Sequence, residues 1–214
     1  MLTHGDSQHI GGVTQLLIDF PRTRVIDNPA PDRSLIHRRL SRIVSALEGR
    51  GRKPAELTAG DNFHLSRDAI AHVLFPPRGF AGATADDQAL VIRLSFAPGT
   101  FVLFMSDNGT ETERALLANG SDLRSDILVK GQHYSGSSGS IPFLDAVRPR
   151  LIIATSREFP EHERISEPWA EQLRARGIKL FRQDETGAVE LKFSGNESSA
   201  RAYLTGEVFR SLSR

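Results

Sequence analysis

The sequence predicts one α/β domain, residues 1–214, in which helices cover layers of β-sheet. Three observations predict this class. The middle of the chain holds apolar, β-rich runs that end at turns containing Pro and Gly, and the final third alternates strand-like and helix-like segments. The composition, with 39% hydrophobic and 25% charged residues, is typical of a globular protein that buries an ordinary core.

The first quarter of the chain predicts two helices around one strand. Residues 13–20 form a short apolar helix that Pro21 ends, and residues 23–28 form a buried strand. Residues 32–49 repeat apolar side chains at helical spacing with arginines on the other side, which predicts an amphipathic helix. Basic residues concentrate here, at Arg22, Arg24, Arg33, Arg38, Arg39, Arg42, Arg50, Arg52 and Lys53. Such a cluster attracts polyanions, but a solvated helix face is the simpler explanation.

The remaining segments predict most of the sheet and its covering helices. The predicted strands are 69–75, 89–96, 101–107, 126–130 and 151–156, of which the second and third form a hairpin around the turn at 97–100. The predicted helices are 110–119, 141–148 and 167–177. Residues 179–185 and 188–193 predict a terminal hairpin around Gly187.

The composition also excludes several kinds of site. The chain has no cysteine, so disulfides, thiolate ligands and cysteine nucleophiles are excluded, and a metal site must use His, Asp or Glu. No apolar run approaches the roughly 20 residues that span a bilayer. Residues 1–12 are polar and glycine-rich, unlike a signal peptide. We therefore expect a cytoplasmic location for the isolated chain.

Five side chains that could ligate a metal lie at the C-terminal ends of predicted strands: His4, Asp6, His9, Asp107 and His133. The first three follow a strand end at residues 2–3, Asp107 is the last residue of its strand, and His133 comes just after the strand that ends at residue 130. Loops at the C-terminal ends of strands in an α/β sheet converge on one site. Each residue alone has a plainer explanation, since Asp107 could cap the next helix and a loop histidine is usually solvated. Together, three imidazoles and two carboxylates suffice for one or two divalent cations, which lower the pKa of bound water to about 7 and stabilise an oxyanion.

One family resemblance covers most of the chain. The segment LTHGDSQHIGG resembles the His-x-Asp-x-Asp-His-x-Gly-Gly signature of the metallo-β-lactamase-fold domain in ComEC-type competence proteins. Four further segments are similar to that family in the same order: AGDNFHL…AIAHVLFPP, ALVIRLSFAPGTFVLFMSDNGTETERALL, SDILVKGQHYSGSSGSIPFLDAVRPRLIIATS and LRARGIKLFRQDETGAVEL. Ordered matches at compatible spacing are more specific than any single motif.

The resemblance implies a fold, a reaction and a set of ligands. The fold is an αββα sandwich with one or two divalent ions, zinc or manganese, held by loops at one sheet edge. The reaction is attack of metal-activated water on a phosphodiester or similar ester. Carried over by position, the ligands are His4, Asp6, His9, Asp107 and His133, and Asp6 and His9 are the expected catalytic residues.

Several positions depart from the family pattern. Gln8 stands where the family has its second aspartate, so a second ion would lose one negative charge from its ligands. Ser106 replaces a glycine before the aspartate ligand, which we expect to be a minor steric change. Gln132 and Tyr134 flank His133 where the family has His and Gly, and a ligand at the first of those histidines would be lost.

The opening strands of the family pattern, with an Asp-Thr-Gly turn, are also absent, because this sequence starts inside the signature. Their loss would expose a sheet edge. We expect either that the chain is a fragment of a longer protein, which we favour, or that a partner chain covers this edge. The resemblance further implies single-stranded DNA or another phosphodiester as substrate. It also implies a membrane channel domain in the parent protein, in which case this domain lies outside the cytoplasm.

Three hypotheses follow. The chain is a metal-dependent phosphodiesterase or nuclease-like hydrolase linked to DNA uptake, or it is a non-catalytic binding or scaffolding module with a degenerate site. Gln8 and Gln132 leave these two open. In the third, the histidines are incidental to an ordinary α/β domain, which would require them to lie far apart in space.

Overall fold

The computed structural model describes residues 1–28, 35–48, 55–97, 99–133, 135, 138–157 and 164–212, with only the backbone at residues 7, 8, 47 and 48. The strands are β1 (Ile26–Asp27), β2 (Ala55–Glu56), β3 (Asn62–Ser66), β4 (Ala69–Phe75), β5 (Val91–Phe96), β6 (Thr100–Phe104), β7 (Ile127–Lys130), β8 (Leu151–Ala154), β9 (Lys179–Arg182), β10 (Val189–Ser194), β11 (Glu197–Ala202) and β12 (Val208–Leu212). The α-helices are α1 (Ser7–Ile10), α2 (Val13–Asp19), α3 (Leu35–Glu48), α4 (Thr110–Ala118), α5 (Ile141–Val147), α6 (Glu167–Ala175) and α7 (Gln183–Thr186).

A mixed sheet of seven strands, in sequence order from β3 to β9, forms the centre of the described structure. Strands β3 to β6 are antiparallel, with short turns between β3 and β4 and between β5 and β6 and a longer loop, residues 76–90, between β4 and β5. Strands β6 to β9 are parallel. The parallel strands are apolar on both faces: Val102 and Leu103 of β6 are both fully buried but belong to different cores. This pattern is typical of strands that other layers cover on both sides.

Helices α4, α5 and α6 cover one face of the large sheet. Their apolar side chains, such as Phe143, Leu144 and Leu173, pack with Leu103 and Leu128 in the largest core cluster. The connections between the parallel strands run through these helices, as the geometry of a crossover requires. The loops that leave β6 and β7 therefore lie at the same edge of the sheet.

Two small sheets cover the opposite face. Strands β10, β11 and β12 form an antiparallel sheet whose Ala200 and Ala202 pack on Val102 and Ile127. Strands β1 and β2 form a parallel pair beside them, and Leu94 of β5 contacts the clusters under both small sheets. Helices α1 to α3 pack on one another next to β1. The order of layers is the αββα sandwich that the resemblance implies.

One edge strand of the large sheet is β3, whose side chains are mostly exposed, and the other is β9. Within the described ranges, no strand of this sheet precedes β3 in the chain. The structure thus has the expected sandwich without the family's opening strands in its large sheet. The prediction of one domain across residues 1–214 stays a prediction.

Most of the predicted elements are confirmed with ends shifted by a few residues. The terminal hairpin is wrong. Strand β9 pairs with β8 in the large sheet, while β10 begins the three-stranded sheet and pairs with β11. The reason is burial: Leu180 and Phe181 of β9 face the two different cores, whereas β10 alternates half-buried and exposed residues and so needs cover on one face only.

The predicted basic face of the amphipathic helix is confirmed in part. Arg38, Arg39 and Arg42 of α3 are exposed, while Leu40 and Val44 are buried against α1 and α2. The other basic residues of the predicted cluster divide into exposed loop positions, Arg22 and Arg24, and four that lie outside the described residues, Arg33, Arg50, Arg52 and Lys53.

Candidate metal centre

The segment that carries His4 is fixed by hydrogen bonds on both sides. The N–H of Leu2 donates to the carbonyl of Ile26 at 2.8 Å, and the N–H of Leu90 donates to the carbonyl of Thr3 at 2.9 Å. The side-chain amide of Asn28 donates to the same carbonyl at 2.6 Å. Terminal residues without such partners usually fray. In this chain the three hydrogen bonds hold His4 beside the start of β5.

Helix α1 brings His9 back towards His4. Its single turn begins after Asp6, whose carbonyl accepts the N–H groups of His9 and Ile10, each at 3.0 Å. Ile10 is buried in the core of the N-terminal helices, which fixes the rotation of this turn. The centroids of the His4 and His9 rings consequently lie 4.2 Å apart.

Asp107 follows β6 in a turn with an unusual backbone. Ser106, one residue earlier, has φ of 50°, in the left-handed region that favours glycine. The expectation of a minor steric change at Ser106 therefore needs correction, because the cost is one of backbone conformation, about 1–2 kcal/mol. The Ser106 hydroxyl donates to the Thr3 hydroxyl at 3.1 Å, which ties this turn to the His4 segment.

The carboxylate of Asp107 lies against Gly131, the first residue after β7. A Cβ atom at Gly131 would lie 2.8 Å from Cγ of Asp107 and closer still to Oδ1. The N–H of Gly131 donates to the carbonyl of Ser106 at 2.6 Å, so the two loops touch through their backbones. Only glycine allows this approach with the carboxylate in its present place.

His4, His9 and Asp107 form a compact group of ligands. Nε2 of His9 lies 2.8 Å from Oδ2 of Asp107, and Nε2 of His4 lies 3.8 Å from the same oxygen. One ligand atom from each of the three residues lies within 4.8 Å of the other two. Nε2 of His4 is buried and has no hydrogen-bond partner. A buried, unpartnered ring nitrogen aimed at a carboxylate oxygen and a second imidazole suits a metal ligand.

A second group shares His4 and contains Asp6 and Asp86, again with atoms within 4.8 Å of one another. Asp6 is exposed, whereas Asp86 is buried in a 3-10 helix, Asp86–Gln88, just before β5. The sequence reasoning missed Asp86, because it considered only residues that follow strands. In an antiparallel pair, the start of β5 lies beside the end of β6, so a residue before β5 reaches the same edge. The Asp-Asp pair before an apolar run was the available signal.

His133 lies at the same edge but belongs to neither group. Its Nε2 lies 3.1 Å from Oδ1 of Asp87, and its Nδ1 accepts the N–H of Ser135 at 3.2 Å and lies 2.7 Å from the Ser135 hydroxyl. Asp87 is itself held by the hydroxyl of Thr84 at 2.7 Å. The structure therefore gives His133 protein partners on both ring nitrogens, and its role as a ligand stays a prediction.

The two histidines of the first group have opposite electrostatic environments. Burial, and then repulsion by His9, lower the pKa of His4 to about 4, against the attraction of Asp107 and Asp6. The hydrogen bond to Asp107 raises the pKa of His9 above its ordinary value, despite partial burial. At neutral pH, His4 is therefore neutral. A tautomer in which Nδ1 donates to the Thr3 hydroxyl, 3.0 Å away, leaves the lone pair of Nε2 available.

The donor set fits a borderline divalent cation. It offers imidazole nitrogens and carboxylate oxygens, which zinc and manganese both accept, and no thiolate. The side chain of Gln8 lies outside the described residues, as does the whole of Tyr134. The prediction that Gln8 removes one negative charge from the ligands of a second ion therefore stays a prediction.

Comparison with known proteins supports the fold and the resemblance. The chain is 37% identical over 104 residues to the competence protein ComA of Neisseria gonorrhoeae, a match that covers 48% of this chain and 15% of that protein. The chain thus corresponds to a small part of this relative, and the resemblance to ComEC-type competence proteins is confirmed. No protein-family model matches the sequence.

Two solved structures share the architecture. Igni18, a metallo-hydrolase from Ignicoccus hospitalis, has a TM-score of 0.55 and 12% identity, over 100% of this chain and 78% of that one. A protein described as a metal-dependent hydrolase from Parabacteroides distasonis has a TM-score of 0.52 and 12% identity, over 85% of this chain and 73% of that one. The fold is therefore that of metallo-hydrolases of the metallo-β-lactamase type. No helix in the described part of the chain is long and apolar enough to cross a membrane.

Proposed function

We propose that this chain is a metal-dependent phosphodiesterase domain of nuclease type that acts on DNA in a ComEC-like protein during DNA uptake. The observation that supports it most is the unpartnered, buried Nε2 of His4 next to His9 and Asp107. The fold of metallo-hydrolases and the partial match to a competence protein support the same proposal. In such a parent, a membrane channel domain accompanies this domain, which then lies outside the cytoplasm.

His4, His9 and Asp107 would hold one ion, with the carboxylates of Asp6 and Asp86 beside it. Nε2 of His4 has a single lone pair and can serve only one ion. A divalent cation bound there supplies a water of lowered pKa and positive charge for the oxyanion of the ester. The residues themselves prepare the site: burial keeps His4 neutral, and Asp107 orients the His9 ring through a 2.8 Å hydrogen bond. The raised pKa of His9 means that a proton competes with the metal ion for its Nε2, so metal affinity falls as pH falls.

Asp6 would act as the general base of the reaction. Its carboxylate is exposed at the mouth of the site, whereas Asp86 and His4 beside it are buried. An exposed carboxylate exchanges protons with bulk water, so Asp6 can accept a proton from the attacking water and release it to solvent. His9 is exposed as well, and its Nε2 contacts Oδ2 of Asp107 at 2.8 Å.

A non-catalytic binding module is the second candidate. Gln8 and Gln132 stand at two positions where the family has ionisable ligands, and His133 has protein partners on both ring nitrogens. A domain with these changes could still bind one ion, or bind a DNA strand or a partner chain, without turnover. This candidate requires a folded protein whose metal site does not hydrolyse esters.

Hydrolysis assays separate the two candidates. The purified chain, depleted of metal and then supplied with Zn²⁺ or Mn²⁺, is tested on single-stranded DNA and on bis(4-nitrophenyl) phosphate. We expect metal-dependent cleavage that Asp107→Asn lowers by about a hundredfold or more, since a carboxylate ligand is lost. The matched control is Asp145→Asn, at an exposed aspartate that pairs with Arg176 away from the site.

The variant Gln8→Asp tests the missing charge. If the second ion is what limits the wild type, Gln8→Asp raises the rate of phosphodiester cleavage. Absence of cleavage by the wild type and by Gln8→Asp, with metal bound and the fold intact, would refute the catalytic proposal and favour the binding module.

A further inference from the structure

Beside the candidate metal centre, a pocket of about 310 Å³ opens between the N-terminal ends of α4 and α6 and the loop after β7. Its wall contains Lys130 and Arg164, hydroxyl groups that include those of Ser138 and Ser166, and the indole of Trp169. Among the described residues that line it, two are cationic and none is acidic. A wall of hydroxyl and cationic groups with no carboxylate is suited to an anion.

Lys130 is the feature that needs a functional explanation. It is 4% exposed, and Nζ donates to the carbonyl of Gly131 at 2.9 Å and to Oε1 of Gln132 at 2.8 Å. Both partners are neutral, and no carboxylate of the described residues forms an ion pair with it. An ammonium group buried without a counter-ion in contact is costly, and an anionic ligand would reduce this cost.

The carboxylate of Glu113 already accepts hydrogen bonds from the backbone. Glu113, buried on α4, accepts the N–H of Ser140 at 3.0 Å and that of Gly139, so its oxygens face the start of α5. Its field and that of Asp107 favour the charged form of Lys130, but burial dominates and lowers the pKa of Lys130 to about 8. With a pKa of about 8, the protonated form predominates at pH 7. Nζ lies 5.3 Å from the centre of the Trp169 ring on the pocket wall, and among the described residues its third N–H has no hydrogen-bond partner.

Ser138 offers a second donor. Its hydroxyl oxygen is buried and has no hydrogen-bond partner. Buried hydroxyl groups almost always have partners in native structures, so an unsatisfied one that lines a pocket marks a place for a ligand atom. The indole N–H of Trp169 donates to the carbonyl of Gly139 at 2.8 Å, which fixes the indole ring on the pocket wall.

The pocket and the metal centre share the loop after β7. Gly131 contacts the carboxylate of Asp107 with its Cα and accepts a hydrogen bond from Lys130 with its carbonyl. A chain of linked phosphates could therefore occupy the pocket with one group while the next lies at the metal centre. The volume exceeds that of one phosphate and admits part of a nucleotide.

We propose that this pocket binds a phosphate group of the nucleic-acid substrate, with the Lys130 ammonium and the Ser138 hydroxyl as its donors. The origin of the phosphate in a nucleic acid rests on the proposed function, whereas phosphate binding by the pocket does not. The pocket then sets the distance between a bound phosphate and the bond that is cleaved.

The test is phosphate binding by the metal-free full chain, so it does not depend on hydrolysis. Inorganic phosphate is titrated by calorimetry, and oligothymidylates with a 5′-phosphate or a 5′-hydroxyl are compared by fluorescence anisotropy. Lys130→Met is expected to weaken phosphate binding about tenfold or more, because a charge-assisted donor is lost. Lys192→Met, at an exposed lysine on β10, is the matched control and leaves the affinity unchanged.

Two further variants keep the outcome decisive. If Lys130→Met does not fold, Ser138→Ala and Arg164→Met are each expected to weaken binding severalfold. His9→Gln is expected to bind phosphate as tightly as the wild type, even if hydrolysis is abolished, because His9 is not among the groups that act on Lys130. Failure of the proposed function and failure of the pocket are therefore distinguishable.

Tighter binding of the 5′-phosphorylated strand assigns the pocket to a terminal phosphate, and equal binding of both strands with loss in Lys130→Met assigns it to an internal one. No binding of phosphate or of either strand by the wild type, or undiminished binding by a folded Lys130→Met, would overturn the proposal.

Discussion

Replacement of Gly131 by alanine tests whether Asp107 and the two histidines form one metal centre. The new Cβ would lie 2.8 Å from Cγ of Asp107, whereas ordinary contacts begin at 3.4 Å. The carboxyl carbon must therefore retreat by at least about 0.6 Å, the difference between these distances, and Oδ1 must move further. The hydrogen bond of 2.8 Å between Asp107 and His9 would then be stretched or lost.

The expected result has two parts. Overpacking lowers the free energy of unfolding by about 1–3 kcal/mol. Displacement of the Asp107 carboxylate lowers the affinity for Zn²⁺ by about ten- to a hundredfold, the range typical of disturbed ligand environments. Calorimetric titration of the metal-free protein with Zn²⁺ measures the second effect, and urea denaturation measures the first.

Gly12→Ala is the matched control for this substitution. Gly12 follows the loop that carries His4 and His9, its φ is −86°, and a Cβ there would meet nothing within 4 Å. It should leave Zn²⁺ affinity near that of the wild type. A folded Gly131→Ala protein that binds Zn²⁺ as tightly as the wild type would refute the reasoning, because Asp107 would not then be a ligand in the position described.

Two further predictions concern the groups around the ligands. In the metal-free protein, the lowered pKa of His4 means that the unfolded chain takes up a proton between pH 6.5 and about 4 that the folded chain does not, so stability falls by up to about 3 kcal/mol over this range. The raised pKa of His9 acts in the opposite sense: its contribution to the free energy of unfolding is lost as pH rises through that pKa. NMR titration of the two rings and urea midpoints from pH 4 to 8 check both effects. A His4 ring that titrates near 6.5 would contradict the burial argument. Asp87→Asn should destabilise the protein by about 1–3 kcal/mol, because an amide cannot accept from Thr84 and His133 as the carboxylate does, and an unchanged urea midpoint would show that these contacts do not contribute.

The elements that the sequence predicted well are those with a strong local signal. Strand β4 matches the predicted segment at both ends, and α4 to α6 match to within two residues, because alternation and helical spacing are properties of a few consecutive side chains. The hairpin of β9 and β10 failed because the partner of a strand depends on which layers cover its faces. That information is not contained in the turn between the two strands.

The same division holds at the candidate site. The residue types of the first loop and of Asp107 could be selected from the sequence, since imidazoles and carboxylates are the donors available in a chain without cysteine. Their convergence depended on β6 ending beside the start of β5, which also brought in the unforeseen Asp86. Local sequence gives no distance between residues that far apart in the chain.

The sequence by itself determined the chemistry on offer: which side chains could bind a divalent cation, which segments were strands or helices, and which family the pattern resembles. Only the tertiary structure decided that Asp87 holds His133, that Gly131 makes room for Asp107, and that Lys130 is buried without a counter-ion. These outcomes arise from packing between separate segments, where burial and close contact set the protonation, orientation and partners of each group.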